Sequence, residues 1–118
     1  MRIPAIFLAI LIGFVAASSG QTEAKAYKFA EFGAIKTAEL KQKMSDFRGA
    51  LLHDSSNQGF IVNYGTPAQI SVRRRLILQS MPRIYDDPTR ITFVDAKKGI
   101  SARTILWIVP PGATPPTP

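Results

Sequence analysis

Three consecutive arginines, Arg73, Arg74 and Arg75, are the residues of this chain whose type and spacing best suit chemistry. They lie between Ile70-Ser71-Val72 and Leu76-Ile77, a stretch with helical spacing. At 100° per residue, Ile70, Arg74, Ile77 and Met81 fall within about 60° of one another, while Arg75 points well away. Arg74 is therefore expected on an apolar stripe. A guanidinium drawn inward needs an anion or a ring of acceptors, because an unpaired buried charge is costly. Its planar fork suits a carboxylate held by two parallel hydrogen bonds. Two readings stay open: a carboxylate-binding Arg74, or a structural Arg74 at the sheet edge, snorkelling or paired with Asp95 or Asp87.

Other chemically capable residues form no constellation. Asp86-Asp87-Pro88 has turn chemistry. His53 is the only histidine and stands in a polar stretch, and Ser55-Ser56 has no base in any motif context. The absence of Cys excludes a disulfide scaffold, a thiol nucleophile and Cys-based zinc sites. No catalytic residue, metal ligand or cofactor is expected.

The chain has 118 residues, 46% hydrophobic, with 15 Lys+Arg against 8 Asp+Glu and a net charge of +7. This length suits one domain with a packed core. The basic balance would attract anionic polymers. Only the arginine triplet is clustered, and no nucleic-acid motif accompanies it, so nucleic acid is not an expected partner.

Met1-Arg2 followed by IPAIFLAILIGFVAA and Ser18-Ser19-Gly20 reads as a secretory signal: a basic start, an apolar stretch and small residues for cleavage. Cleavage is expected after Ser18, with Ala16 at the −3 position, or, in preference, after Gly20, with Ser18 at −3 and Gln21 as the new N-terminus. The apolar stretch is shorter than the roughly 20 residues a spanning helix needs, so no membrane span is expected after cleavage. The expected destination is the periplasm or cell envelope, or the extracellular space, of a bacterium.

Residues 21–26 are small and polar, and read as a flexible lead-in. Tyr27–Phe32 reads as a strand whose phase breaks between Phe29 and Phe32, which suits a bulge. Thr37 is the expected N-cap of a helix carrying Leu40, Met44, Phe47 and Leu51 on one face. Phe60–Tyr64, between Gly59 and Gly65, reads as a buried strand. Thr66-Pro67 opens a second helix that runs to Met81 and stops at Pro82. Ile91–Val94 and Thr104–Val109 read as strands joined by a short turn at 95–99, so they should pair antiparallel. Trp107 belongs to the core or to the outer sheet face, where it would form an apolar patch with an exposed Tyr64. From Pro110, PPGATPPTP reads as a polyproline-type extension with nothing to bury. The expected fold is α+β: a β-α-β-α-β-β two-layer sandwich, with a mixed four-stranded sheet and two helices on one face.

Residues 27–109 resemble the OmpA C-terminal-like, peptidoglycan-associating domain family. Tyr27-Lys-Phe-Ala-Glu-Phe-Gly33 resembles its opening strand, and Thr37–Leu52 its first helix. Ile70-Ser-Val-Arg-Arg-Arg75 resembles its L-S-x-x-R-A motif, with Arg74 on the motif arginine. Asp87-Pro-Thr-Arg-Ile-Thr92 resembles the approach to its third strand. In that family an Asp and this Arg hold the diaminopimelate part of the peptidoglycan stem peptide. Where the family has Thr-Asp after the second strand, this chain reads Asn63-Tyr64-Gly65-Thr66, without a carboxylate. Its N-R-R-V near the last strand is replaced by Ala102-Arg-Thr-Ile105.

The resemblance implies an exported, non-catalytic binding module that contacts peptidoglycan, or another anionic envelope polymer, through Arg74, with Asn63 and Thr66 in the adjoining loop. The alternative is a structural or protein-interaction domain of the same fold that meets an envelope protein and has lost wall binding.

Overall fold

A computed structural model describes residues 24–80, 90–96, 99 and 101–118. The expected signal at 1–20 with its expected Gly20/Gln21 cut, the expected Met81-Pro82 helix stop and the expected Asp86-Asp87-Pro88 turn lie outside the described residues. The elements are β1 (Tyr27–Phe32), α1 (Thr37–His53), β2 (Gln58–Tyr64), α2 (Pro67–Ser80), β3 (Ile91–Ala96) and β4 (Arg103–Val109). They form a mixed four-stranded sheet with both helices on one face, the α+β sandwich expected.

The sheet order is β1-β4-β2-β3, with β4 antiparallel to both neighbours and β3 parallel to β2. This corrects the expected β3–β4 pairing. β4 is apolar on both faces, Leu106 and Ile108 on one and Ile105, Trp107 and Val109 on the other. A strand that buries both faces belongs in the middle of a sheet. β3 carries exposed Thr92 and Asp95 and takes the edge. β3 and β4 therefore flank β2 on opposite sides, and Ala102, just before β4, lies against the end of β2. There Gly65, at φ +133°, would place a Cβ only 3.3 Å from the Ala102 Cα, so this close approach favours a glycine.

Residues Gly59, Ile61 and Asn63 of β2 pair with Ile108, Leu106 and Thr104 of β4 and share the helix-facing side. Ile61, Leu106 and Ile108 pack there with Met44, Phe47 and Leu51 of α1 and Ile77 of α2. Gly59 lies under α1: a Cβ at that position would meet Phe47 and Leu51 atoms at 2.9 Å. In β1 the register shifts between Lys28 and Ala30, which makes Phe29 an extra residue. The bulge resets the strand's alternation, so that Phe29 meets the Phe47 ring at 5.5 Å and Phe32 is also buried in the core.

The N-cap of α1 is Lys36, one residue before the expected Thr37. Lysine has no side-chain acceptor, and the helix start is supported instead by Glu39, whose Oε1 accepts from the Lys36 amide at 3.4 Å. Two further expectations change on the outer face of the sheet. Tyr64 is half-buried beneath the Arg103 guanidinium, 4.3 Å from its ring centre, so it forms no open patch with Trp107. The Pro-rich tail turns back at Pro110–Ala113, and Thr114–Thr117 line a cavity with Trp107.

Candidate functional site

The arginine that α2 turns inward is Arg73. Only 9% of it is exposed, and it lies with Ile70 and Ile77 on the buried face of the helix. Its Nη1 donates to Thr104 Oγ1 at 2.8 Å and its Nη2 to the Gly33 carbonyl at 2.7 Å. Its guanidinium stands 5.3 Å from the Phe32 ring centre. Burial pushes its pKa below the ordinary arginine value. Both hydrogen bonds go to neutral acceptors, and they tie α2 to β4 and to the end of β1.

The inward position expected of Arg74 is therefore a correction, and helical geometry explains it. On a 100° wheel Arg73 and Arg74 flank the Ile70–Ile77 stripe at about equal angles, one on each side. The flank that carries Arg73 faces β4, in the middle of the sheet. The flank that carries Arg74 faces β3, the edge strand.

Arg74 lies on that edge with its side chain 46% exposed. Its guanidinium rests 4.6 Å from the centre of the Phe93 ring, a stacking contact that fixes its plane. Asp95, two residues beyond Phe93 on the same face of β3, brings Oδ1 to 3.8 Å from Arg74 Nη1. Of the two readings left open, the Asp95 pairing is present. At that distance the charges attract without a short hydrogen bond, and both groups meet solvent. Asp87, the other acid considered, lies outside the described residues.

Asn63 and Thr66 do not join Arg74 in a common open site. Asn63 is 1% exposed, and its Oδ1 accepts from Thr104 Oγ1 at 2.7 Å. Arg73, Thr104 and Asn63 thus form one directed chain of donors and acceptors inside the fold. Asn63 Nδ2 is the one buried side-chain nitrogen or oxygen without a hydrogen-bond partner among the described residues. Thr66 caps α2. Its Oγ1 accepts from the Gln69 amide at 3.2 Å, and Gln69 Oε1 accepts from the Thr66 amide at 2.9 Å, a reciprocal capping box.

A cavity of about 330 Å³ beside α2 is lined by Ala68, Gln69, Val72, Arg73, Leu76 and Ala102. It takes in Arg73 and not Arg74. On the far side of the fold, the half-buried Arg90 is a second arginine held by backbone carbonyls. Its Nη2 donates to the carbonyls of Leu51 at 2.6 Å, Asn57 at 2.7 Å and Asp54 at 3.1 Å, closing the C-terminal end of α1.

Sequence reasoning missed Arg73 as the internal arginine and Phe93 as the shelf under Arg74. The alternation of Ile91, Phe93 and Asp95 was the available signal, because it places all three on one face once the strand extends to Ala96. Among the described residues, no group of three or more His, Asp or Glu gathers to hold a metal. Among the same residues, no helix is long and apolar enough to cross a membrane. No protein-family model matches the chain, and no curated protein or solved structure matches it.

Proposed function

We propose that the protein is an exported, non-catalytic binding module of the bacterial cell envelope that engages the diaminopimelate end of the peptidoglycan stem peptide. The observation that carries this reading is the solvent-open Arg74–Asp95 pair, 3.8 Å apart on the β3 edge. A zwitterionic amino-acid head presents a carboxylate and an ammonium side by side. Arg74 takes the carboxylate through its fork, and Asp95 takes the ammonium. Asp95 here supplies from β3 the carboxylate that the Asn63–Thr66 stretch does not carry. The Phe93 ring keeps the Arg74 fork flat and lowers the entropy it loses on binding.

Asn63 and Thr66 play supporting parts in this reading. Asn63 anchors the strand that pairs with Asp95 in register, and Thr66 starts the helix that carries Arg74. The general basic charge aids approach to the anionic wall without giving specificity.

Co-sedimentation of the exported protein with purified sacculi, at physiological salt, tests this. Retention of the wild type and its loss in Arg74→Ala is the expected result. Retention that is equal in Arg74→Ala would leave only nonspecific attraction, and no retention of either protein would refute wall binding.

A further inference from the structure

The carboxy-terminal segment reverses directly after β4. The Ala113 amide donates to the Pro110 carbonyl at 3.0 Å, and Gly112 takes φ +84°. Pro111 and Gly112 thus occupy the two central positions of a tight turn, where proline presets the first and glycine allows the second. The turn returns the segment to the outer surface of the sheet, the side away from the helices. There Thr114, Pro115, Pro116 and Thr117 line a cavity of about 390 Å³ with Trp107 and Ala24–Ala26. Trp107 is half-buried, and Lys28 and Phe60 flank it in register on the neighbouring strands.

A proline-rich strand beside an indole ring has a specific physical logic. Such a segment is stiff before it binds, so it loses little entropy on docking, and its ridges fit against an aromatic face. The geometry points to Trp107 and the Ala24–Ala26 lead-in as a recognition site for proline-rich peptide segments, bordered here by the chain's own Thr114–Thr117. A proline-rich segment of another protein must displace this tail. Its apparent affinity is then set by competition with a tethered ligand. This site lies on the opposite face of the sheet from Arg74 and Asp95 and is independent of the wall-binding reading.

Trp107 is the only tryptophan, so its fluorescence reports this site alone. Gly112→Val opposes the turn through backbone strain, since a Cβ at Gly112 would meet nothing within 4 Å. Pro115→Ala/Pro116→Ala weakens the segment at positions outside the domain core, and serves if the first variant folds poorly. Each variant, in the full-length protein, is expected to shift Trp107 emission to longer wavelength and to raise its quenching by acrylamide. The free peptide PGATPPTP, matching residues 111–118, is expected to reverse the shift saturably in Gly112→Val and to leave the wild type unchanged at the same concentration. Emission that is unchanged in both variants would overturn the proposal. So would a shift that the peptide does not reverse, or an equal response from the wild type.

Discussion

Arg73 donates to Thr104 across the α2–β4 interface at 2.8 Å, and the Thr104 hydroxyl donates in turn to Asn63 Oδ1 at 2.7 Å. The relay makes an internal cation part of the fold, its hydrogen bonds among the described residues going to a hydroxyl and a carbonyl. Its stability rests on donor and acceptor matching. Arg73→Met keeps an apolar stem but leaves the Gly33 carbonyl without this donor. A loss of about 1.5–3 kcal/mol in urea unfolding is expected, the range for hydrogen bonds to a charged group. Arg73→Lys should recover only part, because an ammonium cannot reproduce the fork. A loss below about 0.5 kcal/mol, the ordinary surface range, would contradict this role.

Arg90 closes the opposite end of the domain by collecting the carbonyls of Leu51, Asp54 and Asn57. These groups end α1 and the loop after it, where no further helical amide reaches them. Arg90→Ala is expected to cost about 1.5–3 kcal/mol. It should also speed amide hydrogen exchange in the last turn of α1 more than in α2. Uniform acceleration over both helices would show a global effect in place of a local one.

Two surface carboxylates contribute to the acid limb of stability. Glu31 is held below its ordinary 4.5, chiefly by the Lys28 hydrogen bond, with the charges of Lys28 and Arg103 assisting. Asp54 is held below its ordinary 3.8 by hydrogen bonds from the Ser56 hydroxyl and amide. Each is more acidic folded than unfolded, so the unfolded chain takes up the proton first as pH falls. The stabilisation is complete above the unfolded values and is lost as pH drops through the folded ones. The melting temperature should therefore be flat with respect to these groups above about pH 5.5 and should fall below about pH 4. Added salt should weaken the Glu31 part of this slope. A melting temperature that rises on acidification would contradict the assignment.

Much of this architecture is legible in the residues. The Leu40, Met44, Phe47 and Leu51 spacing places α1, Thr66-Pro67 marks the start of α2, and the broken alternation at Phe29 marks the bulge. The strand order is not legible in the same way. A short β3–β4 connection suggests a hairpin, yet the burial of both faces of β4 outweighs that local signal and draws it between β1 and β2. The same misplacement hides the identity of the internal arginine. Arg73 and Arg74 are equivalent on the wheel, and only knowledge of which strand is the edge separates them. Asn63 falls within the expected strand Phe60–Tyr64, and only the family resemblance drew it into the loop beside Thr66. Its burial depends on Thr104, forty-one positions away in the chain. The turn at Gly112 was hidden by the proline-rich composition, which suggests an extended segment when read without the Gly112 backbone angle.

The central claim is that Arg74 and Asp95 together read a zwitterionic head. Calorimetric titration of a soluble peptidoglycan stem peptide ending in diaminopimelate tests it most directly, with wild type, Arg74→Ala, Asp95→Asn and Arg75→Ala compared. Arg75 lies next to Arg74 and is exposed, so its removal changes net charge equally. The account predicts saturable binding by the wild type, a loss of about ten-fold or more in Arg74→Ala and in Asp95→Asn, and little change in Arg75→Ala. Equal weakening by Arg74→Ala and Arg75→Ala, or no binding by the wild type, would contradict it.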